Sequence, residues 1–257
     1  MSVDSSDGMV VRGVVLRRGP AREACFTVAH MHSEMRVPSD ASEASRRDLL
    51  HRECNQEVLS LEIAAQSLAE FCDAPWDLRM ELARQCWDET RHAQMRFQRL
   101  RELGGYKGEF PIINQEWGVV CMIDSLPARL AVQNRTFEGG SLDVLPITIK
   151  RWREIGDERT AEITETILAD EIQHVRFANA WLKRLAQEDP RILMKVAAAM
   201  EYVRQAIEAL SPKPGERGID GSDLGAVDRS VKTNANDRRA AGFAEEEITE
   251  VVRQERS

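Results

Sequence analysis

Apolar positions recur at three- and four-residue steps along most of the chain, the spacing that lays one helix face against a core. Between about Ser45 and Phe71 they include Leu49, Leu50, Val58, Leu61, Ile63, Ala64 and Leu68, which predicts a first helix. Asp73-Ala74-Pro75 interrupts the run, because the residue before a proline is steered away from helix. A second run extends from Trp76 to Leu103 and stops at Gly104-Gly105. A third helix is expected from about Gln115 to Glu138, kinked at Pro127 and ended by Gly139-Gly140. A short helix over about Leu145–Ile155, a long one over about Asp157–Leu185 and another over about Arg191–Leu210 follow. The reading is all-α: a helical bundle over residues 45–210, an N-terminal extension over 1–44 packed on it, and a C-terminal strap over 211–257. The extension contains a β-like run, Met9–Leu16, and the strap is irregular to Asn236 before a short helix around Ala244–Arg253.

Two of these helices carry polar residues where core is expected. The long helix after Gly156 places Ile163, Ile167, Glu171, His174, Ala178, Trp181 and Leu185 on one stripe, and the second helix repeats the arrangement with Leu82, Cys86, Glu89, His92 or Ala93, Arg96 or Phe97, and Leu100. A buried carboxylate is costly unless compensated, and a pair of divalent cations would compensate several at once. Glu and His three residues apart share a helix face and can reach one ion. Two Glu-x-x-His helices plus one Glu from each of two others form the ligand set of ferritin-like di-iron and di-manganese four-helix bundles.

The two further glutamates follow from position. Glu57 lies 17 residues before a hairpin turn at Ala74, and Glu89 and His92 lie 15 and 18 after it, whereas Glu53 and Glu62 are each about a turn off level. Glu138 is the one carboxylate near the end of the third helix. Its separation of 33 residues from Glu171 resembles the 32 between Glu57 and Glu89. The predicted ligands are therefore Glu57, Glu89, His92, Glu138, Glu171 and His174. Asp88 and Asp170, each preceding a ligand glutamate, are expected to orient the histidines, with Glu62 as a further supporting carboxylate. Mixed carboxylate and imidazole donors suit two iron ions, with manganese as the alternative.

Composition narrows the setting. The net charge of −8 argues against a general nucleic-acid surface. Five cysteines without a C-x-x-C pair fit a reducing cytoplasm rather than a disulfide framework. Met1–Gly8 lacks the pattern of a secretory signal, and no apolar stretch approaches a membrane span, so a soluble, cytoplasmic protein is expected. The only tyrosines are Tyr106 and Tyr202, neither within a turn of the predicted histidines, which disfavours a stored tyrosyl radical. Arg129, Gln133 and Arg135 are read as solvated or ion-paired rather than as a clamp for a substrate carboxylate, and His51 as structural or exposed.

Glu57-Val-Leu-Ser-Leu-Glu62, Asp88-Glu89-Thr-Arg-His92, Glu138-Gly-Gly-Ser-Leu-Asp143-Val, Gly156-Asp157, Asp170-Glu171-Ile-Gln-His174-Val and Asn234-x-x-Asp-Arg238-x-Ala-Ala-Gly-Phe243 stand in an order that resembles an uncharacterised ferritin-like di-iron family. That family is distantly similar to di-iron tRNA hydroxylases. The resemblance implies a bundle with an iron-type site at the six positions above and a C-terminal strap that belongs to the domain. Relatives carry His two residues before the first glutamate, where this chain has Asn55.

The leading expectation is a non-haem di-iron oxidase or oxygenase that uses dioxygen to oxidise a small organic substrate in a biosynthetic setting, with an external electron donor and a homodimer as open partners. Pro127 and the long extensions favour it, since a substrate pocket needs partly irregular walls. One alternative is a tRNA-hydroxylase-like enzyme docking through Lys150, Arg151 and Arg153, which a solvated helix face explains equally well. The other is a ferroxidase or iron-binding protein without an organic substrate.

Overall fold

The computed structural model describes residues 8–36, 42–224 and 231–254. Helices dominate them, and strands are confined to four short segments, so the fold is all-α. The expectation for Met1–Gly8 lies, apart from Gly8, outside the described residues. The chain divides into two compact units, one of Met1–Asp124 with Glu201–Val227 and the other of Ser125–Met200 with Asp228–Ser257.

In the first unit the β-like run is folded back on itself. Strands β1 (Gly8–Val11) and β2 (Val14–Arg17) pair antiparallel. Arg12 and Gly13, at φ 47° and 80°, form the two-residue turn whose twist suits a hairpin. Two short strands, β3 (Val28–Ala29) and β4 (Ile112–Ile113), pair in parallel. Helix α1 (Glu43–Glu70) starts where the Ser42 side chain accepts the Ser45 N–H. Helix α2 (Trp76–Glu102) starts after Pro75 and gives way to Gly104, whose φ of 79° suits a helix stop. The two run antiparallel: the Cys86 thiol faces the Leu61 carbonyl and the Cys54 thiol the Ala93 carbonyl. Leu50, Leu59, Ile63, Leu78, Leu82 and Leu100 are buried in this unit. The N-terminal extension is held on α1 by ion pairs of Arg22 with Glu62 and Arg17 with Glu70. Helix α3 (Gln115–Val120) packs against β2 and α1.

The third predicted helix is interrupted. It stops at Val120, and Pro127 falls in the first turn of helix α4 (Leu126–Val132), where its missing N–H costs nothing, so the proline starts a helix instead of kinking one. A π-helical turn over Gln133–Glu138 then leads straight into helix α5 (Gly139–Glu154). Gly139-Gly140 therefore does not end the helix. Gly139 keeps a right-handed φ of −58°, and a Cβ on it would meet the Phe243 ring at an ordinary contact distance of 3.6 Å. Helix α5 also begins earlier than the predicted Leu145.

Helix α6 (Glu158–Glu188) is capped by Asp157, which accepts the Thr160 N–H at 2.9 Å. It runs antiparallel to α5, with Leu142 beside Val175 and Arg153 paired to Glu165. Helix α7 (Ile192–Leu210) contributes residues to both units, and α8 (Ala235–Ala240) and α9 (Glu245–Gln254) complete the described chain.

The strap is bolted to α5 by polar contacts. Arg238 forks onto Asp143, at 2.6 Å for the shortest contact, with both side chains about nine-tenths buried. The Asn234 N–H donates to the same carboxylate at 2.8 Å. The Asn234 side chain reaches the Leu142 carbonyl at 3.4 Å, the acceptor that Pro146 cannot serve within the helix. Asn179 of α6 donates to the Ala241 carbonyl. Removing one partner of a buried ion pair strands the other, so Asp143→Ala is expected to lower the unfolding free energy by about 3 kcal/mol in urea denaturation. The Asp143→Leu/Arg238→Leu double variant is expected to lose less than the sum of its singles.

Candidate metal centre

Helix hairpin geometry assembles one triad in the first unit. Glu57 points from α1 toward Glu89 and His92 on α2, and the ligand atoms of the three lie within 4.8 Å of one another. Glu89 and His92 are fully buried and Glu57 is 6% exposed. His92 Nδ1 is 3.1 Å from Glu89 Oε2 and 3.4 Å from Glu57 Oε2, so this nitrogen faces both carboxylates. One turn on, Arg96 is buried as well. Its Nε donates to Glu57 Oε1 at 2.5 Å, and its Nη1 pairs with Glu53. Gln85 reaches Glu89 Oε1 at 3.5 Å. Arg96 thus holds one Glu57 oxygen and leaves the other beside the imidazole.

The second unit builds a matching triad. Glu138 closes the π-helical turn, and its ligand atom lies within 4.8 Å of those of Glu171 and His174 on α6. All three residues are buried, and His174 Nδ1 lies 3.8 Å from Glu171 Oε2. Two amides donate to Glu138, Asn134 at 2.8 Å and Gln133 at 3.5 Å. Along the π turn the Thr136 hydroxyl donates to the Ala131 carbonyl, and the Gln133 side chain, at its start, reaches Glu138 at its end. Such single-turn insertions recur at functional sites because they re-aim a side chain within a continuing helix.

The other predicted site residues have different surroundings. Asp88 is buried on α2 and pairs with Arg91 at 3.0 Å and Arg84 at 3.6 Å, while Asp170 is half-buried on α6. Glu62 is engaged by the Arg22 fork at 2.6 Å. Arg135 pairs with Glu247 and lies over the Phe243 ring, and Gln133 serves Glu138. Lys150 and Arg153 sit in ion pairs with Glu154, Glu158 and Glu165, as a solvated helix face would arrange them. His51 is buried and accepts the Gly108 N–H at 3.0 Å. Sequence reasoning did not single out Arg96 or Asn134. The signal for each was a polar side chain one helical turn from a predicted ligand.

Each triad is a buried acidic and imidazole cluster that could hold a metal ion. The donors are oxygen and nitrogen. Cys54, one turn from Glu57, stays a thiol, because burial and then the Glu57 charge push it up to about 11.

Without a metal, a proton takes the cation's place in the first triad. Burial opposes a charged imidazole, but Glu57 and Glu89 outweigh it and push His92 up to about 10. The raised value means that His92 is protonated throughout the neutral range and that its charge stabilises the metal-free fold below the ordinary histidine range. This contribution is lost as pH rises through about 10. An incoming cation must displace that proton. Between about pH 6 and about pH 8, zinc(II) or cobalt(II) binding is expected to release about one proton from this triad and to tighten about tenfold per pH unit. Calorimetry in buffers of different ionisation enthalpy reads the release, which His92→Ala is expected to remove.

No curated protein and no solved structure matches the chain. Residues 8–214 match the family described as Protein of unknown function (DUF455), a span from the first hairpin to just beyond α7 that contains all six predicted ligands. The chain belongs to that family.

Proposed function

We propose that Glu57, Glu89, His92, Glu138, Glu171 and His174 hold two iron ions, and that the chain is a dioxygen-dependent oxidase or oxygenase of a small organic substrate. The observation that carries this reading is the repeated buried triad, one glutamate beside a Glu-x-x-His helix in each unit. Four glutamates also match the charge of two iron(II) ions.

Iron(II) held there would supply electrons for dioxygen activation. The chain's own residues set its surroundings. Arg96 restrains Glu57 through Oε1 and leaves Oε2 as the donor. Asn134 fixes Glu138 through Oε2. Burial of all six residues keeps bulk water from the donors, which strengthens their electrostatic hold on a cation.

Anaerobic iron(II) loading is expected to give two ions per chain, and Glu57→Ala and Glu138→Ala to bind about one or fewer. On exposure to oxygen, uptake is expected to depend on an added organic molecule, screened among small amines, amino acids and lipids. Substrate-independent uptake with mineral formation would instead mark a ferroxidase, and unchanged iron content in both variants would remove the site.

A further inference from the structure

A cavity of about 480 Å³ lies in the first unit, between the N-terminal extension and the outer faces of α1 and α2. That volume is in the range of small-molecule sites, roughly 300–1,000 Å³. Its wall adjoins the first triad residue by residue. Val58 follows Glu57, Thr90 follows Glu89, and Ala93 follows His92, and all three line the cavity. Successive helix residues are turned by about 100°, so the cavity flanks the triad on both helices.

The chemistry of the wall is specific. Phe26, Val58, Leu61, Phe97 and Leu100 make it largely apolar. Its charged groups answer one another: Arg22 forks onto Glu62, and at the exposed rim Lys107 pairs with Glu23 at 2.6 Å. His51 also lines it, held by burial below its ordinary histidine value. No charge in the wall is left to select an ion. The Asn55 amide nitrogen donates to the Ile113 carbonyl at 3.2 Å, which fixes the amide's orientation and leaves its carbonyl oxygen as an acceptor in the wall.

We infer that this cavity binds a neutral, largely apolar small molecule carrying a hydrogen-bond donor, with Asn55 as the acceptor that orients it. Resting on the function proposed above, this is the class of substrate that the metal centre oxidises. The Lys107–Glu23 pair joins the extension to the loop after α2 at the rim, where a ligand would enter.

N-Phenyl-1-naphthylamine is a suitable probe: uncharged, apolar, with one N–H, and fluorescent only out of water. Titrated into the full metal-free chain, it is expected to saturate one site. Ala93→Trp and Val58→Phe, which fill the cavity from opposite helices, are each expected to weaken it about tenfold or more. Asn55→Leu is expected to weaken it several-fold while leaving the N-methyl analogue, which lacks the donor, unaffected. Circular dichroism identifies any variant that fails to fold, and the remaining ones then decide. Non-saturable binding to wild type, or full affinity in the folded filling variants, would overturn the site. Equal effects of Asn55→Leu on both probes would overturn the role of the donor. The measurement needs no metal, so it stands apart from the iron reading. Saturable binding in a chain that takes up no iron would leave the cavity and remove the oxidation, whereas iron uptake without probe binding would do the reverse.

Discussion

Carboxylates buried on helix faces have to be compensated, and in this chain four glutamates sit at positions that periodicity would otherwise give to leucine or alanine. Each costs several kcal/mol if left as a bare anion out of water. The neighbouring residues can be understood as answers to that cost. In the first unit a protonated His92 and the Arg96 guanidinium balance Glu57 and Glu89. In the second, Asn134 and Gln133 turn their amides to Glu138. A metal ion in each triad would meet the same demand with a denser charge, and in the first it would displace the proton.

The local structure around the second triad serves the same end. An uninterrupted α-helix through residues 133–138 would present Glu138 at a different angle, and the π-helical turn corrects that within a helix that continues into α5. Holding such a turn requires support from outside the helix. The strap provides it: Phe243 packs at Gly139 and over Arg135, and Asn234 and Arg238 converge on Asp143. The Asp143 and Arg238 motifs, distant in sequence, are two halves of one buried ion pair.

The helices could be read from the sequence because their apolar stripes are long and regular, as in α1, α2 and α6, where predicted and observed ends differ by a few residues at most. The triads could be read in part for the same reason, since a Glu-x-x-His on a core stripe breaks the pattern visibly. The π turn could not, because a one-residue insertion in a helical ladder leaves no mark on composition. Gly139-Gly140 misled for a physical reason: glycine ends a helix only when it adopts the left-handed conformation, as Gly104 does at φ 79°, and Gly139 does not. Pro127 was ambiguous in the same way, since proline breaks a helix interior but suits a first turn. The partners Arg96 and Asn134 became evident only once neighbouring helical turns could be placed around their carboxylates.

The central proposal is that the two triads hold two iron ions that dioxygen oxidises. Mössbauer spectroscopy of the chain loaded anaerobically with iron-57 and then exposed to oxygen tests it most directly. The account predicts two high-spin ferrous ions per chain at saturation, both converted to the ferric state by dioxygen. One ferrous ion or fewer per chain at saturation, or ferrous ions that dioxygen leaves unchanged, would contradict it.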